Sequence, residues 1–325
     1  MSRVPVIDVA GLRSGSEQDT AAVATELDRA CRDTGFFCVV GHGIDADLFV
    51  RLDGAARSFF ALPDGAKARV AMSEGGRAWR GWFPLGGELT SGVPDRKEGY
   101  YFGRELPDDD QAVLAGTPLH GRNQFPSEVP AMRDAVLDWL AALTGLGHVV
   151  MSGIARGLGL PADWFRQRLT ADPTILFRIF RYPMDGPGTW GVAEHTDYGL
   201  LTLLAQDDCG GLQVHGRDGW LDVPPIPESF VCNIGDMLER MTGGRYRSTP
   251  HRVLNTSGRD RLSFPFFFDP SWDARVEPLP LAAEVAAADE PQRWDGANVF
   301  DFDGTYGQYL TAKVAKVFPD LFQQI

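Results

Sequence analysis

Cysteine is scarce in this chain. Its four thiols, Cys31, Cys38, Cys209 and Cys232, are scattered over 325 residues with no CxxC pair. That spacing argues against a disulfide framework or a zinc–cysteine site, and it fits a reducing compartment. Basic residues are in deficit, with 31 Lys and Arg against 44 Asp and Glu, a formal net charge of −13. A nucleic-acid partner is therefore not expected, because such binding depends on Lys and Arg neutralising phosphates. A small anionic substrate stays open, since a local basic pocket can sit inside an acidic protein. The opening MSRVPVIDVAGL has no long apolar stretch after its arginine, so no secretory signal is expected. No run approaches the ~20 apolar residues of a membrane span, so no membrane partner is expected and the chain reads as cytoplasmic. Hydrophobic content of 44% with 23% charged residues is enough for a sizeable core.

Residues 4–9 read as a short strand, followed by a helix in which Val23, Leu27 and Cys31 recur at a spacing of four. Gly35 ends that helix, and Phe36 to Val40 is an apolar strand running into Gly41-His42-Gly43. A second helix is expected over 45–61. The segment 73–126 is rich in Gly, Pro and acidic residues and shows weak periodicity, so irregular structure is expected there. Its Trp79, Trp82, Phe83, Tyr100, Tyr101 and Phe102 nevertheless require burial. From 127 the pattern is helical for about thirty residues, with Val136, Leu140, Leu143 and Val150 on one face. A further helix begins near Pro161.

After Pro173 the texture changes to short β-rich runs at 175–182, 200–205, 211–215, 219–223, 229–234, 246–255 and 261–268. Glycine-containing turns punctuate them, as in antiparallel hairpins, and predict a sandwich, barrel or jelly roll. The last twenty residues return to a helix with Tyr309, Leu310, Val314 and Val317 as its apolar face. No repeat or linker divides the chain. One domain is expected over 1–325: a helix-rich portion 1–172, a β core 173–270, and a C-terminal extension and helix 271–325.

Histidine is the residue to follow, because there are only six. In Glu194-His195-Thr196-Asp197 the His and Asp are two apart, so on an extended segment they point the same way. They can take adjacent positions on a metal, with His251 in STPHRVLN the natural third ligand. Two His and one carboxylate leave open positions, the arrangement of non-haem iron(II) oxygenases. Ten residues after His251, Arg261-Leu262-Ser263 opens an apolar strand. An Arg there demands a partner, and its planar fork suits a carboxylate that Ser263 can also contact.

The matching pieces FRIFRYP (177–183), HTDYGLLTLL (195–204), GLQV (211–214), VCNIGDML (231–238), STPHRVLN (248–255) and RLSFPFFFDP (261–270) resemble the isopenicillin N synthase-like family of iron(II)/2-oxoglutarate-dependent dioxygenases. VPVIDVAGL (4–12), GFFCVVGHGI (35–44) and TYGQYLTAKVAKVFPDL (305–321) extend the resemblance over nearly the whole chain. It implies a double-stranded β-helix, or jelly roll, with N-terminal and flanking helices. It also implies iron(II) on His195, Asp197 and His251, and the far carboxylate of 2-oxoglutarate on Arg261, Ser263 and Tyr182. The implied reaction consumes O₂ and oxidises a C–H of a small-molecule substrate by hydroxylation, desaturation or cyclisation, in secondary metabolism. One departure stands out: Phe180 occupies a position where many plant members carry Asn.

If Tyr182 faces the interior, strand alternation places Phe180 and Arg178 there too. Arg178 then binds an anionic group of the substrate or pairs with an acid such as Asp208. Phe266, Phe268 and the aromatics near Trp82-Phe83 are candidate pocket walls. His42 reads as a turn residue, His215 as exposed, His120 and His148 as uninvolved, and Asn233 and Asp236 as supporting residues. Two rival functions remain: an iron oxidase that needs no cosubstrate, in which Arg261 and Ser263 hold the substrate, and a non-catalytic jelly roll that binds a small molecule.

Overall fold

The computed structural model describes residues 3–90, 92–184, 190–281 and 299–318. The N-terminal portion contains β1 (Val6–Asp8), α1 (Ala10–Ser14), α2 (Glu17–Asp33), β2 (Phe36–Val40), α3 (Ala46–Phe60) and α4 (Asp64–Lys67). α2 starts at a capping box in which Ser16 and Asp19 satisfy each other's backbone N–H, and α3 at Asp45, whose carboxylate accepts from Asp47 N–H. At Gly35, φ is +65° and a Cβ would lie 2.0 Å from the Arg247 carbonyl, so only glycine lets α2 turn directly into β2.

Next come β3 (Gly81–Phe83), β4 (Leu89–Thr90), β5 (Val93–Pro94), β6 (Glu98–Gly103), α5 (Gln111–Leu114), α6 (Ala131–Gly157) and α7 (Trp164–Arg168). The C-terminal portion holds β7 (Pro173–Tyr182), β8 (Val192–His195), β9 (Leu201–Gln206), β10 (Leu212–Gly216), β11 (Gly219–Val223) and β12 (Phe230–Ile234). It ends with α8 (Asp236–Met241), β13 (His251–Val253), β14 (Arg261–Ser271) and α9 (Tyr306–Val317).

An eight-stranded sheet in the order β1-β2-β12-β9-β14-β7-β6-β3 faces a four-stranded sheet, β11-β10-β13-β8. This is the expected jelly roll. The inner faces of the two sheets enclose a cavity, and the outer face of the large sheet is covered by α6 with α2 and α3 against it. Val136, Leu140, Leu143 and Val150 of α6 are buried as the periodicity predicts. Each such side chain contributes roughly 1.5–3 kcal/mol by leaving water. Gly147 allows close approach: a Cβ there would fall 2.5 Å from the ring of Phe268.

Three expectations need correction. The segment 73–126 is not wholly irregular, since β3 and β6 extend the large sheet, with Tyr101 opposite Arg178 on β7. All six residues of β6 are buried, so the strand carries no inside–outside alternation to read. The run 246–255 forms a strand only at His251–Val253. Finally, α6 is long and apolar enough by composition to cross a membrane, although half of its most apolar stretch is buried inside the protein. The helical stretch at the C-terminus is described to Phe318; its last seven residues lie outside the described part.

Candidate active site

β8 and β13 run antiparallel with His195 directly opposite His251. Cross-strand pairing thus brings together two histidines 56 positions apart, their ring centroids 4.2 Å from each other. Asp197 follows just beyond β8, where its carbonyl accepts from Asp236 N–H at 2.8 Å. One ligand atom each from His195, Asp197 and His251 lies within 4.8 Å of the others, and the Asp197 Oδ1–His251 Nε2 distance is 3.8 Å.

The hydrogen bonds around these groups leave the right atoms free for a cation. Asp197 Oδ2 accepts from Thr202 Oγ1 at 2.5 Å and Asn233 Nδ2 at 2.7 Å, so Oδ1 remains for a metal. The Nδ1 atoms of His195 and His251 lie 2.8 and 3.3 Å from the carbonyls of Ala193 and Thr249. Donation to those carbonyls fixes the tautomer in which Nε2 is a lone-pair ligand. Burial, and then the neighbouring His251, holds the His195 imidazole well below its ordinary pKa. Burial works to raise Asp197, but His251, His195, Asn233 and Thr202 more than offset it and keep it ionised. Neutral imidazole beside a carboxylate is the donor set a divalent iron takes.

Arg261 lies on β14 opposite Tyr182 on β7, with its guanidinium 4.8 Å above the tyrosine ring. It is fully buried. Its Nε donates to the Gly210 carbonyl at 2.6 Å and Nη2 to Gln206 Oε1 at 3.3 Å, while Nη1 is buried without a partner. No carboxylate pairs with it among the described residues. Ser263 Oγ sits 3.4 Å from the Tyr182 hydroxyl. A buried guanidinium with an unspent donor, beside two hydroxyls, has the chemistry to fit an external carboxylate. Both groups implied by the sequence, the iron and the 2-oxo acid, therefore fit the residues present.

A cavity of about 520 Å³ joins the two features and is lined by His195, Asp197, His251, Arg261, Ser263 and Tyr182. Phe180 and Arg178 line it too, as alternation along β7 predicts. Arg178 does not pair with Asp208, which instead meets Arg259 on the surface at 2.6 Å. It is held between the rings of Tyr101 and Phe267, at 4.3 and 4.8 Å, with Glu88 at 3.5 Å. Lys97, 4.6 Å over the Phe180 ring, binds Asp95 and Glu88. Burial, the largest influence, opposes ionisation of Glu88 and Lys97, but it is outweighed in sum: Lys97, Arg178 and the Tyr101 hydroxyl together lower Glu88, and Glu88 with Asp95 and Tyr182 raises Lys97.

Phe266 and Phe268 are not cavity walls. Because Arg261 and Ser263 point inward, so do Pro265, Phe267 and Asp269, while Phe266 and Phe268 point the other way, Phe268 packing against His148 of α6. Parity along β14 already contained that correction. Trp82 and Phe83 also stand back from the cavity: Trp82 donates to Glu98, and Phe83 packs on Tyr101 and Phe180. Glu88 and Lys97 lie in the segment read as irregular and were missed, as were Leu310 and Lys313 of α9, which close the cavity. His42 bonds within its turn and to the Glu228 carbonyl, and Asn233 supports Asp197 as expected.

Residues 4–128 match the family described as non-haem dioxygenase in morphine synthesis N-terminal, and residues 173–270 match the 2OG-Fe(II) oxygenase superfamily. The chain belongs to the 2OG-Fe(II) oxygenase superfamily. It is similar to a probable iron/ascorbate oxidoreductase of Dictyostelium discoideum, with 47% identity over 99% of this chain and 96% of the relative. A homoarginine-6-hydroxylase of Glycine max is 35% identical over 98% of each chain. The crystal structure of a full-length Neurospora crassa protein in complex with alpha-KG and thymine superposes with a TM-score of 0.79 at 26% identity, covering 96% of each chain. This superfamily member is an iron(II)- and 2-oxoglutarate-dependent dioxygenase that oxidises a small molecule. The rival readings, a cosubstrate-free oxidase and a non-catalytic jelly roll, give way to that one.

Proposed function

We propose that this dioxygenase acts on a small amino-acid-like substrate whose carboxylate is received by Arg178. In this reading His195, Asp197 and His251 hold the iron(II), and Arg261, Ser263 and Tyr182 hold the far carboxylate of 2-oxoglutarate. When bound, iron(II) with 2-oxoglutarate and O₂ supplies the oxidising power, the cosubstrate leaving as succinate and CO₂. The chain's own contribution is to orient the two organic molecules and keep water from the space between them.

The carrying observation is the state of Arg178. Its side chain lines the cavity, its Nε is buried with no partner among the described residues, and its nearest acid is 3.5 Å away. That acid, Glu88, already accepts from Tyr101 and meets Lys97 at 2.8 Å, so it compensates Arg178 only in part. A substrate carboxylate would complete the pairing, while the adjoining Glu88 would suit an ammonium group. The similarity to a homoarginine-6-hydroxylase points to the same amino-acid chemistry.

The test is turnover of an amino-acid panel that includes L-homoarginine, in wild type and Arg178→Met. Losing a charge-assisted pair of about 1.5–3 kcal/mol should raise substrate KM roughly 10- to 150-fold. Uncoupled 2-oxoglutarate consumption, measured without substrate, should be the same in both proteins. Loss of both activities together would refute the assignment, because Arg178 would then serve the cosubstrate or the fold.

A further inference from the structure

α9 carries two tyrosines three residues apart, Tyr306 and Tyr309, and each reaches a buried aspartate. The Tyr306 hydroxyl donates to Asp269 Oδ2 at 2.5 Å, and the Tyr309 hydroxyl to Asp236 Oδ2 at 3.2 Å. Residues at that spacing share a helix face, so one face of α9 holds both contacts. Neither aspartate is an ordinary surface anchor: both are buried, and both act on the loop that follows β8.

Asp269 Oδ1 accepts from Leu200 N–H at 3.2 Å and fills the space above Gly199, where a Cβ would lie 1.4 Å from that oxygen. On the other side, Asp236 N–H donates to the Asp197 carbonyl at 2.8 Å, and Gly235 N–H to the Leu200 carbonyl at 3.2 Å. Met237 N–H reaches the carbonyls of Tyr198 and Gly199. Asp236 Oδ1 is held in turn by Ser248 Oγ at 2.8 Å. The stretch from Asp197 to Leu200 is thus gripped from two sides by groups that α9 touches. A third link is Lys313, which stands 5.2 Å over the ring of Tyr198 and 4.0 Å from Asp236 Oδ2. The same helix places Leu310, Lys313 and Val317 on the cavity wall.

We propose that Tyr306 and Tyr309 are positioning residues for the metal: through the hydrogen bonds of their hydroxyls to Asp269 and Asp236 they set the loop bearing Asp197. Side chains that orient a ligand without touching the metal commonly change metal affinity 10- to 100-fold when removed. The proposal rests on the reading that His195, Asp197 and His251 bind iron, and its test must be able to fail separately from that reading.

The measurement is anaerobic binding of Fe(II), and of Co(II) with its visible d–d spectrum, to full-length wild type, Tyr306→Phe, Leu310→Ala and His251→Ala. Tyr306→Phe keeps the ring and deletes only the hydroxyl. It should weaken Fe(II) binding about tenfold and alter the Co(II) spectrum, while 2-oxoglutarate affinity at saturating metal stays within about twofold. Leu310→Ala, which trims the cavity face of α9 and leaves the tyrosines, should retain wild-type metal affinity and spectrum. A Tyr306→Phe protein that melts earlier yet binds Fe(II) and Co(II) as wild type overturns the proposal, since the contact would be structural only. Equal metal loss in Leu310→Ala also overturns it, because general loosening would suffice. His251→Ala must lose the Co(II) spectrum; retention would refute the ligand assignment itself.

Discussion

Replacing Arg261 with Met should separate the stability of the protein from its affinity for 2-oxoglutarate, and the two should respond unequally. The guanidinium is fully buried, and only two of its three nitrogens have partners. In the absence of cosubstrate the fold therefore carries an under-compensated charge. Methionine fills similar space without one, at the cost of leaving the Gly210 carbonyl without its 2.6 Å donor. An unmet carbonyl costs about 1–3 kcal/mol, and removing an unpaired buried charge returns an amount of that order. Stability without cosubstrate should therefore stay within roughly 2 kcal/mol of wild type.

Binding has no such offset. Losing one partner of a buried, hydrogen-bonded charge pair costs about 2–5 kcal/mol, and a middle value of about 3 corresponds to roughly 150-fold in Kd. At a cosubstrate concentration of about 100 wild-type Kd, linkage stabilises wild type by about 2.7 kcal/mol. With an unfolding entropy of about 2.1 cal/mol/K per residue, this chain shifts by roughly 4 °C for that amount. The variant, at the same concentration, should shift by under ~0.5 °C. Thermal melts of iron(II)-loaded, anaerobic protein with and without 2-oxoglutarate, together with titration of the weak visible band of the chelate, measure both quantities. An undiminished ligand-induced shift would refute the clamp. A collapse of the cosubstrate-free protein by much more than about 3 kcal/mol would show that Arg261 is structurally paired.

Asn233→Leu removes one of two donors from Asp197 Oδ2 and should weaken Fe(II) binding roughly 10-fold, measured by anaerobic titration; unchanged affinity would show that Thr202 alone orients the carboxylate. Glu98→Ala should destabilise the fold by about 3–5 kcal/mol in urea, because Lys67, 2.7 Å from Glu98 and buried with it, loses its buried partner. Three thiols, Cys31, Cys38 and Cys232, are buried and pushed up by that burial, so an aromatic disulfide reagent should modify at most Cys209 in the native protein. All four should react in denaturant, and fast native labelling of a second thiol would contradict the packing around β2 and β12.

The sequence alone was enough for the faces and motifs that short-range order sets within a single strand or helix. Two-residue alternation put Tyr182, Phe180 and Arg178 on one face, and HTD put an imidazole and a carboxylate on another. Helical spacing marked the buried faces of α2, α6 and α9, and the ordered motifs carried the superfamily. Parity could also have excluded Phe266 and Phe268 in favour of Phe267, had it been followed from Arg261 along β14. What the sequence could not supply were facts created by pairing across long separations. His251 was named from its motif, but the β8–β13 register that sets it opposite His195 was not; Glu88 meets Arg178 from a segment with no readable period, and Tyr306 reaches Asp269 only because α9 folds back over the cavity. Local periodicity comes from backbone geometry within one element, so one strand or helix reveals it. Which charges become neighbours, and which buried donor is left without a partner, is decided only when distant elements exclude water together.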